Sequence, residues 1–106
     1  MLIVDDSVSV QHVLREILAN DPEIEVMGIA SDPYEAVAKI AENIPDVITL
    51  DIEMPRMDGL TFLRKLMKQH PIPVLVISSV VGEGSENAIK AIKLGAREII
   101  PKPKLA

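Results

Sequence analysis

The sequence predicts a doubly wound α/β domain, in which a parallel sheet carries helices on both faces. Three observations lead to this prediction. Short apolar runs alternate along the chain with segments whose apolar residues recur at helical spacing. The apolar runs lack polar alternation, which is typical of parallel strands buried on both sides. The 106 residues, 48% of them apolar, suffice for one domain over residues 1–106, and we expect no second domain.

Five apolar runs are predicted to form the strands. They are Leu2–Val4, Ile24–Ala30, Val47–Leu50, Val74–Ile77 and Glu98–Ile100. Parallel strands place their carboxyl ends on one edge of the sheet, which is where such sheets bind ligands. The residues that follow these ends should therefore converge, and they are Asp5, Asp6, Asp51, Ser78, Ser79 and Lys102.

Four segments with helical periodicity are predicted to form the helices between the strands. Ser7, Asp32 and Ser85 are the expected N-caps of the first, second and fourth helix, and Pro33 stands in the first turn of the second. The positions predicted to be buried are Val10, Val13, Leu14, Ile17, Leu18, Ala36, Val37, Ile40, Ala41, Leu60, Leu63, Leu66, Met67, Ala88, Ile89 and Ile92.

The composition excludes several classes of function. A net charge of -5 argues against nucleic-acid binding by this domain, because affinity for a phosphate backbone comes from clustered Lys and Arg. A single Tyr and a single Phe offer no platform for base stacking. The absence of cysteine excludes disulfides and thiolate metal sites. No apolar run is long enough to cross a bilayer and no signal peptide is recognisable, so we expect a cytoplasmic protein without membrane contact.

Three aspartates gathered at one edge of the sheet indicate a cation site. Like charges repel each other, so a bound cation favours the ionised state of all three. Oxygen ligands without a suitably placed His select a hard ion such as Mg²⁺. A lysine beside the ion can neutralise a transferring phosphoryl group, and a serine hydroxyl can donate to its oxygens. This set of residue types is suited to phosphoryl transfer onto a carboxylate.

The same residues give the chain a resemblance to response-regulator receiver domains over almost its whole length. The motifs that carry it are Val4-Asp5-Asp6-Ser7, Leu50-Asp51, Met54-Pro55, Met57-Asp58-Gly59, Ile77-Ser78-Ser79, Gly95-Ala96 and Lys102-Pro103. Each motif is weak alone, but together they stand in order at the correct strand ends. The resemblance implies a five-stranded flavodoxin-like sheet with strand order 2-1-3-4-5.

The resemblance also implies a role for the polar residues. Asp51 would accept a phosphoryl group from a histidine kinase. Asp6, Asp51 and the backbone carbonyl of Glu53 would ligate Mg²⁺, with Asp5 acting through a water molecule. Lys102 would pair with Asp51 and contact the phosphoryl group.

The switch that follows phosphorylation is expected to involve Ser78, Ser79 and Ile99. By the resemblance, Ser78 would move toward the phosphoryl oxygens, and the Lys102–Pro103 peptide would be cis, which helps to aim the lysine. Ile99 occupies a position that is usually aromatic in receivers. Isoleucine cannot act as a bulky rotamer gate, so we expect the relay past Ser78 to be weakened.

A narrower resemblance links the chain to the receiver half of chemotaxis protein-glutamate methylesterases. It rests on the segment from Glu53 to Leu60, on Ser78-Ser79 and on the segment from Gly82 to Glu86. The implied output is an esterase domain in cis, or else a partner protein. Receivers usually continue with a fifth helix after the Lys-Pro turn, but only Lys104-Leu105-Ala106 follow that turn here. We therefore expect the last helix to be missing from this chain, which would expose apolar surface.

Two other functions compete with the phosphorylation switch. One is a Mg²⁺-dependent phosphatase or hydrolase with an Asp nucleophile. Such enzymes place a second Asp two residues after the nucleophile, where this chain has Glu53. The other is a docking module that is not phosphorylated, against which the complete Asp, Ser and Lys set argues. In the preferred interpretation the chain is no enzyme on an external substrate and catalyses only its own phosphorylation and dephosphorylation.

Overall fold

Strands and helices alternate along the whole described chain. The computed structural model describes residues 1–53, 59–78 and 86–102. The elements are β1 Leu2–Val4, α1 Val8–Ala19, β2 Gly28–Ala30, α2 Pro33–Glu42, β3 Ile48–Asp51, α3 Gly59–Gln69, β4 Val74–Ser78, α4 Glu86–Leu94 and β5 Glu98–Pro101. Within these ranges no helix combines the length and the apolar character needed to span a membrane.

The five strands form one parallel sheet in the order β2-β1-β3-β4-β5, as predicted. The register aligns their carboxyl ends. Val4 pairs with Leu50 across β1 and β3, Asp51 pairs with Ile77 across β3 and β4, and Ser78 pairs with Pro101 across β4 and β5. Residues that directly follow these pairs are therefore delivered to one edge of the sheet.

Apolar clusters on both faces of the sheet confirm the doubly wound architecture. The larger cluster lies between the sheet and helices α2, α3 and α4, and includes Leu2, Val4, Leu50, Leu63 and Ala91. The smaller cluster joins Ile3 of β1 to Val10 and Leu14 of α1 on the opposite face. The strands are buried on both sides, which explains why their sequences lack polar alternation.

The starts of the first two helices agree with the caps predicted from the sequence. The hydroxyl of Ser7 accepts a hydrogen bond from the backbone N–H of Val10 at 3.3 Å. The carboxylate of Asp32 accepts one from the N–H of Glu35 at 2.9 Å, and Pro33 occupies the first turn of α2. Both side chains satisfy N–H groups that have no partner within the helix. The predicted cap Ser85 lies outside the described residues.

The predicted buried stripes are too wide on three helices. Val37 is 57% exposed, Ile17 is 53% exposed, and Ile89 and Ile92 are each 48% exposed. A helix that packs on one sheet buries only the narrow line of side chains nearest the strands, here represented by Ala36 and Ile40 in α2. The flanking apolar residues of the same helix remain open to solvent.

The second strand is shorter than the predicted run Ile24–Ala30. It begins at Gly28 because its partner β1 offers only Leu2–Val4 for pairing. Just before the strand, the N–H of Met27 still donates to the backbone oxygen of Met1 at 3.0 Å. The wrong boundary follows from the length of the neighbouring strand, which local sequence does not reveal.

Candidate functional site

The structure brings five of the predicted polar residues together at the carboxyl edge of the sheet. Asp5 and Asp6 follow β1, Asp51 and Ser78 are the last residues of β3 and β4, and Lys102 follows β5. Of the remaining predicted residues, Ile99 lies in β5 and packs, partly buried, against the larger apolar cluster. Ser79 and the Lys102–Pro103 peptide lie outside the described residues, as does the Met54–Asp58 motif.

The three aspartates form a compact cluster of carboxylate oxygens. One oxygen from each of Asp5, Asp6 and Asp51 lies within 4.8 Å of the other two. Asp5 and Asp51 are buried, at 1% and 0% exposure, whereas Asp6 is exposed. Such an arrangement of hard oxygen ligands, open to solvent on one side, can hold a metal ion.

Among the described residues, only one of the two carboxylate oxygens of Asp5 has a hydrogen-bond partner. Its Oδ1 accepts a hydrogen bond from the N–H of Ser7 at 2.8 Å. Its Oδ2 is buried, and among the described residues nothing donates a hydrogen bond to it. A buried carboxylate oxygen without a donor is unfavourable when ionised, and a cation at the cluster would satisfy it. This observation fits the metal that the donor set suggests.

Burial and mutual repulsion shift the pKa values of the buried aspartates upward. Burial raises the pKa of Asp5 to about 6, against the hydrogen bond from Ser7, and the nearby charge of Asp51 adds to the shift. Burial also raises the pKa of Asp51, although the N–H of Glu53 and the ammonium of Lys102 oppose it. Without a bound cation, the ionised form of these carboxylates is therefore disfavoured.

Lys102 is the cation that the chain itself supplies to this cluster. Its Nζ lies 3.2 Å from Oδ2 of Asp51. Burial disfavours its charge, but Asp51, Asp5 and Glu53 outweigh that effect and raise the pKa of Lys102 above its usual value. The ammonium therefore remains charged beside Asp51 at every physiological pH.

A chain of hydrogen bonds joins Asp51 to Ser78 through Glu53. The N–H of Glu53 donates to Oδ1 of Asp51 at 2.9 Å. The hydroxyl of Ser78 donates to Oε1 of Glu53, also at 2.9 Å. The carbonyl of Ser78 accepts a hydrogen bond from the N–H of Lys102 at 3.0 Å, which joins the end of β4 to the residue after β5. A chemical change at Asp51 can therefore be transmitted to the end of β4 through Glu53 and to the end of β5 through Lys102.

The side chain of Glu53 is a component of the site that sequence reasoning missed. Only its backbone carbonyl was predicted to take part, as a metal ligand. In the structure its carboxylate holds the hydroxyl of Ser78. The available signal was the acidic residue two places after Asp51, which the sequence interpretation used only to argue against a phosphatase.

Gln11 is a second residue that the sequence did not indicate. It lies in α1 between the buried Val10 and Leu14 and is only 8% exposed. Its Nε2 donates to the backbone carbonyl of Asp5 and, at 3.3 Å, to the hydroxyl of Ser31. The amide thereby fixes the carboxyl end of β1 against the end of β2, next to the acidic cluster. A polar residue inside a predicted apolar stripe was the signal for this contact.

We expect Gln11→Leu to destabilise the domain and weaken its binding of divalent cations. The substitution leaves the buried carbonyl of Asp5 without its donor, which costs about 1–3 kcal/mol. It also removes the hydrogen bonds that hold the segment after β1, which carries Asp5 and Asp6, against the end of β2. Urea unfolding and a Mg²⁺ titration followed by NMR measure the two effects. The exposed neighbour His12, changed to Leu, is the matched control, and equal behaviour of both variants would contradict the role of Gln11.

Comparison with known proteins matches this sequence to one family. A family model described as the response regulator receiver domain matches residues 1–105. A protein-glutamate methylesterase/protein-glutamine glutaminase of the group 3 operon from Rhodopseudomonas palustris is 60% identical over 105 residues. The match covers 99% of this chain but 29% of that relative, so the chain spans less than a third of the relative's length.

Solved structures show the same fold. The response regulator domain of Thermotoga maritima CheB superposes with a TM-score of 0.89 at 44% identity, covering 96% of this chain and 76% of that one. CheY6 of R. sphaeroides, in its complex with the P1 domain of CheA3, gives a TM-score of 0.83 at 36% identity and covers 97% of this chain and 81% of that one.

Proposed function

Because the chain belongs to the response regulator receiver domain family, we propose that Asp51 accepts a phosphoryl group from a histidine kinase. The observation that carries this proposal is the fully buried Asp51 carboxylate, with the Lys102 ammonium 3.2 Å away and two more carboxylates beside it. A carboxylate oxygen of Asp51 attacks the phosphorus of a phosphohistidine. The P–O bond forms as the P–N bond breaks, and the leaving imidazole takes up a proton.

The acidic cluster is proposed to hold Mg²⁺ during this transfer. Asp6, Asp51 and the backbone carbonyl of Glu53 are the proposed protein ligands, and Asp5 acts through a water molecule. An ion held by these residues would supply positive charge to the phosphoryl oxygens in the transition state. The unpartnered Oδ2 of Asp5 and the raised pKa of the buried aspartates support a cation at this place.

Lys102 and Ser78 are proposed to contact the phosphoryl group once it is on Asp51. Lys102 exchanges part of its contact with Asp51 for a phosphoryl oxygen. Ser78 leaves Glu53 and donates its hydroxyl to another phosphoryl oxygen. The added negative charge next to Glu53 favours this exchange, because two adjacent anions repel each other. The movement of Ser78, with Ser79 beside it, is the proposed start of the output signal.

The domain is proposed to regulate a methylesterase output in bacterial chemotaxis, in the cytoplasm. This rests on the 60% identical methylesterase relative, whose sequence extends well beyond the matched segment. The structural similarity to a CheY protein in complex with the P1 domain of CheA3 supports a chemotaxis-type kinase as the phosphodonor. In this proposal the esterase domain acts in cis, and phosphorylation of Asp51 changes its activity.

A small phosphodonor with Mg²⁺ tests the acceptor directly. The expected result is an acid-stable, base-labile phosphoryl adduct, located on Asp51 by mass spectrometry and absent from Asp51→Asn. Asp46→Asn, an exposed aspartate near the other end of β3, is the matched control and should be phosphorylated normally. An adduct that persists in Asp51→Asn would refute the assignment. Steady turnover of phosphomonoesters would instead favour the phosphatase.

Lys102→Ala is expected to leave the fold intact and weaken the response to phosphorylation. The lysine is at the end of β5 and partly exposed, so its removal opens no apolar cavity. The adduct should form more slowly, because the transferred charge loses a fixed cation. The time course of adduct formation and the circular dichroism spectrum measure both expectations. Loss of the folded spectrum would show that Lys102 has a structural role instead.

A further inference from the structure

Positive charge is concentrated on α3 and α4, although the chain as a whole carries a net charge of -5. The two helices contain five basic residues and one acidic residue, Glu86. The basic residues are Arg64, Lys65, Lys68, Lys90 and Lys93. The proposed phosphoacceptor function uses none of them, so this segregation of charge calls for a different explanation.

A groove lies between the two helices, and three of these basic residues line it. It has a volume of about 390 Å³ and is lined by Leu60, Thr61, Arg64, Lys90, Lys93 and Leu94. Leu60 and Leu94 are partly buried against the apolar core and form an apolar floor. The three cationic side chains are exposed and surround that floor. No acidic side chain is among the lining residues.

The cations around the groove are available to an incoming partner. In the described part of the chain, Arg64 and Lys93 have no carboxylate within ion-pair distance. Lys90 lies 3.6 Å from Glu86, but the two side chains are 55% and 84% exposed. Such an exposed pair contributes little to stability, so Lys90 can exchange Glu86 for another carboxylate at little cost.

We propose that the α3–α4 groove binds an acidic amphipathic segment of a partner polypeptide, with apolar side chains on Leu60 and Leu94 and carboxylates on Arg64, Lys90 and Lys93. The combination of an apolar floor with a cationic border defines this partner. An apolar segment alone would leave the cations unused, and an acidic segment alone would leave the leucines exposed. A partner helix with leucine-like residues on one face and Asp or Glu beside them satisfies both.

Other polyanions fit the groove less well. No aromatic side chain lines it, so unpaired bases find no stacking surface, and the net charge of -5 repels a nucleic-acid backbone beyond the groove. An anionic lipid surface meets the same repulsion from the acidic remainder of the chain. A short polypeptide segment contacts only the groove and avoids this cost.

Fluorescence anisotropy with labelled peptides tests the proposal on the wild-type chain. The probe is a helical peptide of about 16 residues with Leu on one face and Glu flanking it. Its comparison peptide replaces every Glu with Gln. We expect the acidic peptide to bind at least about tenfold more tightly, and chemical-shift changes on its addition to fall on α3 and α4. Equal affinity for the two peptides would overturn the proposal.

Charge reversal then locates the binding surface. The double variant Arg64→Glu with Lys93→Glu should lose at least about tenfold in affinity for the acidic peptide. Lys68→Glu is the matched control, because Lys68 lies on α3 but does not line the groove. Should the double variant misfold, Arg64→Gln with Lys93→Gln removes the same charges without adding repulsion and should also weaken binding.

Two results would overturn the assignment of the groove or of its partner. One is an equal loss of affinity in Lys68→Glu and in the double variant, which would indicate general electrostatic attraction. The other is tighter binding to phosphatidylserine vesicles or to single-stranded DNA than to the acidic peptide, abolished by the same double variant. That result would identify a lipid surface or a nucleic acid as the ligand.

Discussion

Replacing Gly59 with alanine is expected to destabilise the domain by about 3 kcal/mol. A Cβ at this first position of α3 would overlap Cα of Ile52 and would lie 2.9 Å from its carbonyl carbon and oxygen. These are backbone atoms, which cannot rotate away, so the helix must move from the end of β3. Ile52 directly follows Asp51, and the shift should therefore also weaken binding of divalent cations. Urea unfolding and a Mg²⁺ titration measure the two effects.

Gly28→Ala is the matched control for this prediction. A Cβ at Gly28 would meet the flexible side chain of Lys39 at 3.4 Å and Cδ1 of Leu2 at 3.8 Å, both ordinary contacts. We expect its unfolding free energy to stay within about 0.5 kcal/mol of the wild type. If Gly59→Ala and Gly28→Ala had the same stability, the close approach of α3 to β3 would not be a constraint on this fold.

In the absence of divalent cations, stability is expected to fall as the pH rises from about 5 to about 7.5. Asp5 has a folded-state pKa of about 6, above the ordinary value of 3.8. Over this range the folded chain keeps a proton that the unfolded chain has released, so low pH stabilises the fold and that stability is lost as pH rises through about 6. The expected loss from Asp5 is about 1 kcal/mol, and the raised pKa of Asp51 acts in the same direction.

Magnesium should reverse this pH dependence, and the variant Asp5→Asn should reduce it. Mg²⁺ favours the ionised carboxylates and should make the domain more stable at about pH 7.5 than at about pH 5. The Asn side chain carries no charge, so without the ion the Asp5→Asn variant should be more stable than the wild type at about pH 7.5. Mg²⁺ should stabilise this variant less than it stabilises the wild type. Urea unfolding at several pH values, with and without the ion, decides the matter. A pH slope in Asp5→Asn as steep as in the wild type would place the titrating group elsewhere.

The convergence of the polar residues could be predicted because it depends on chain direction alone. Once Asp5, Asp51, Ser78 and Lys102 are recognised as residues at the ends of parallel strands, no knowledge of packing is needed to bring them together. The predicted strand order also agrees with the structure. The roles of these residues in phosphoryl transfer stay predictions until the experiments above are done.

The details that escaped prediction depend on contacts between distant parts of the chain. Periodicity shows which side of α2 is apolar, but the width of the buried stripe depends on the sheet beneath it, and so Val37 was wrongly placed in the core. The bonds of Gln11 to Ser31 and of Ser78 to Glu53 join residues 20 and 25 positions apart. Nothing in the local sequence of either residue specifies its partner.

The dispersal of the site over four strand ends has a consequence for biosynthesis. Asp5 follows β1, which leaves the ribosome before the other four strands of this sheet, whereas Lys102 follows β5, which leaves after them. A nascent chain that still lacks β5 has the aspartates but neither the lysine nor the backbone bond between Lys102 and Ser78. Pairing of parallel strands requires contacts between distant residues and is therefore a late event in folding. Newly made chains should thus remain unreactive toward phosphodonors until β5 docks, so that only domains with a complete sheet can take part in signalling.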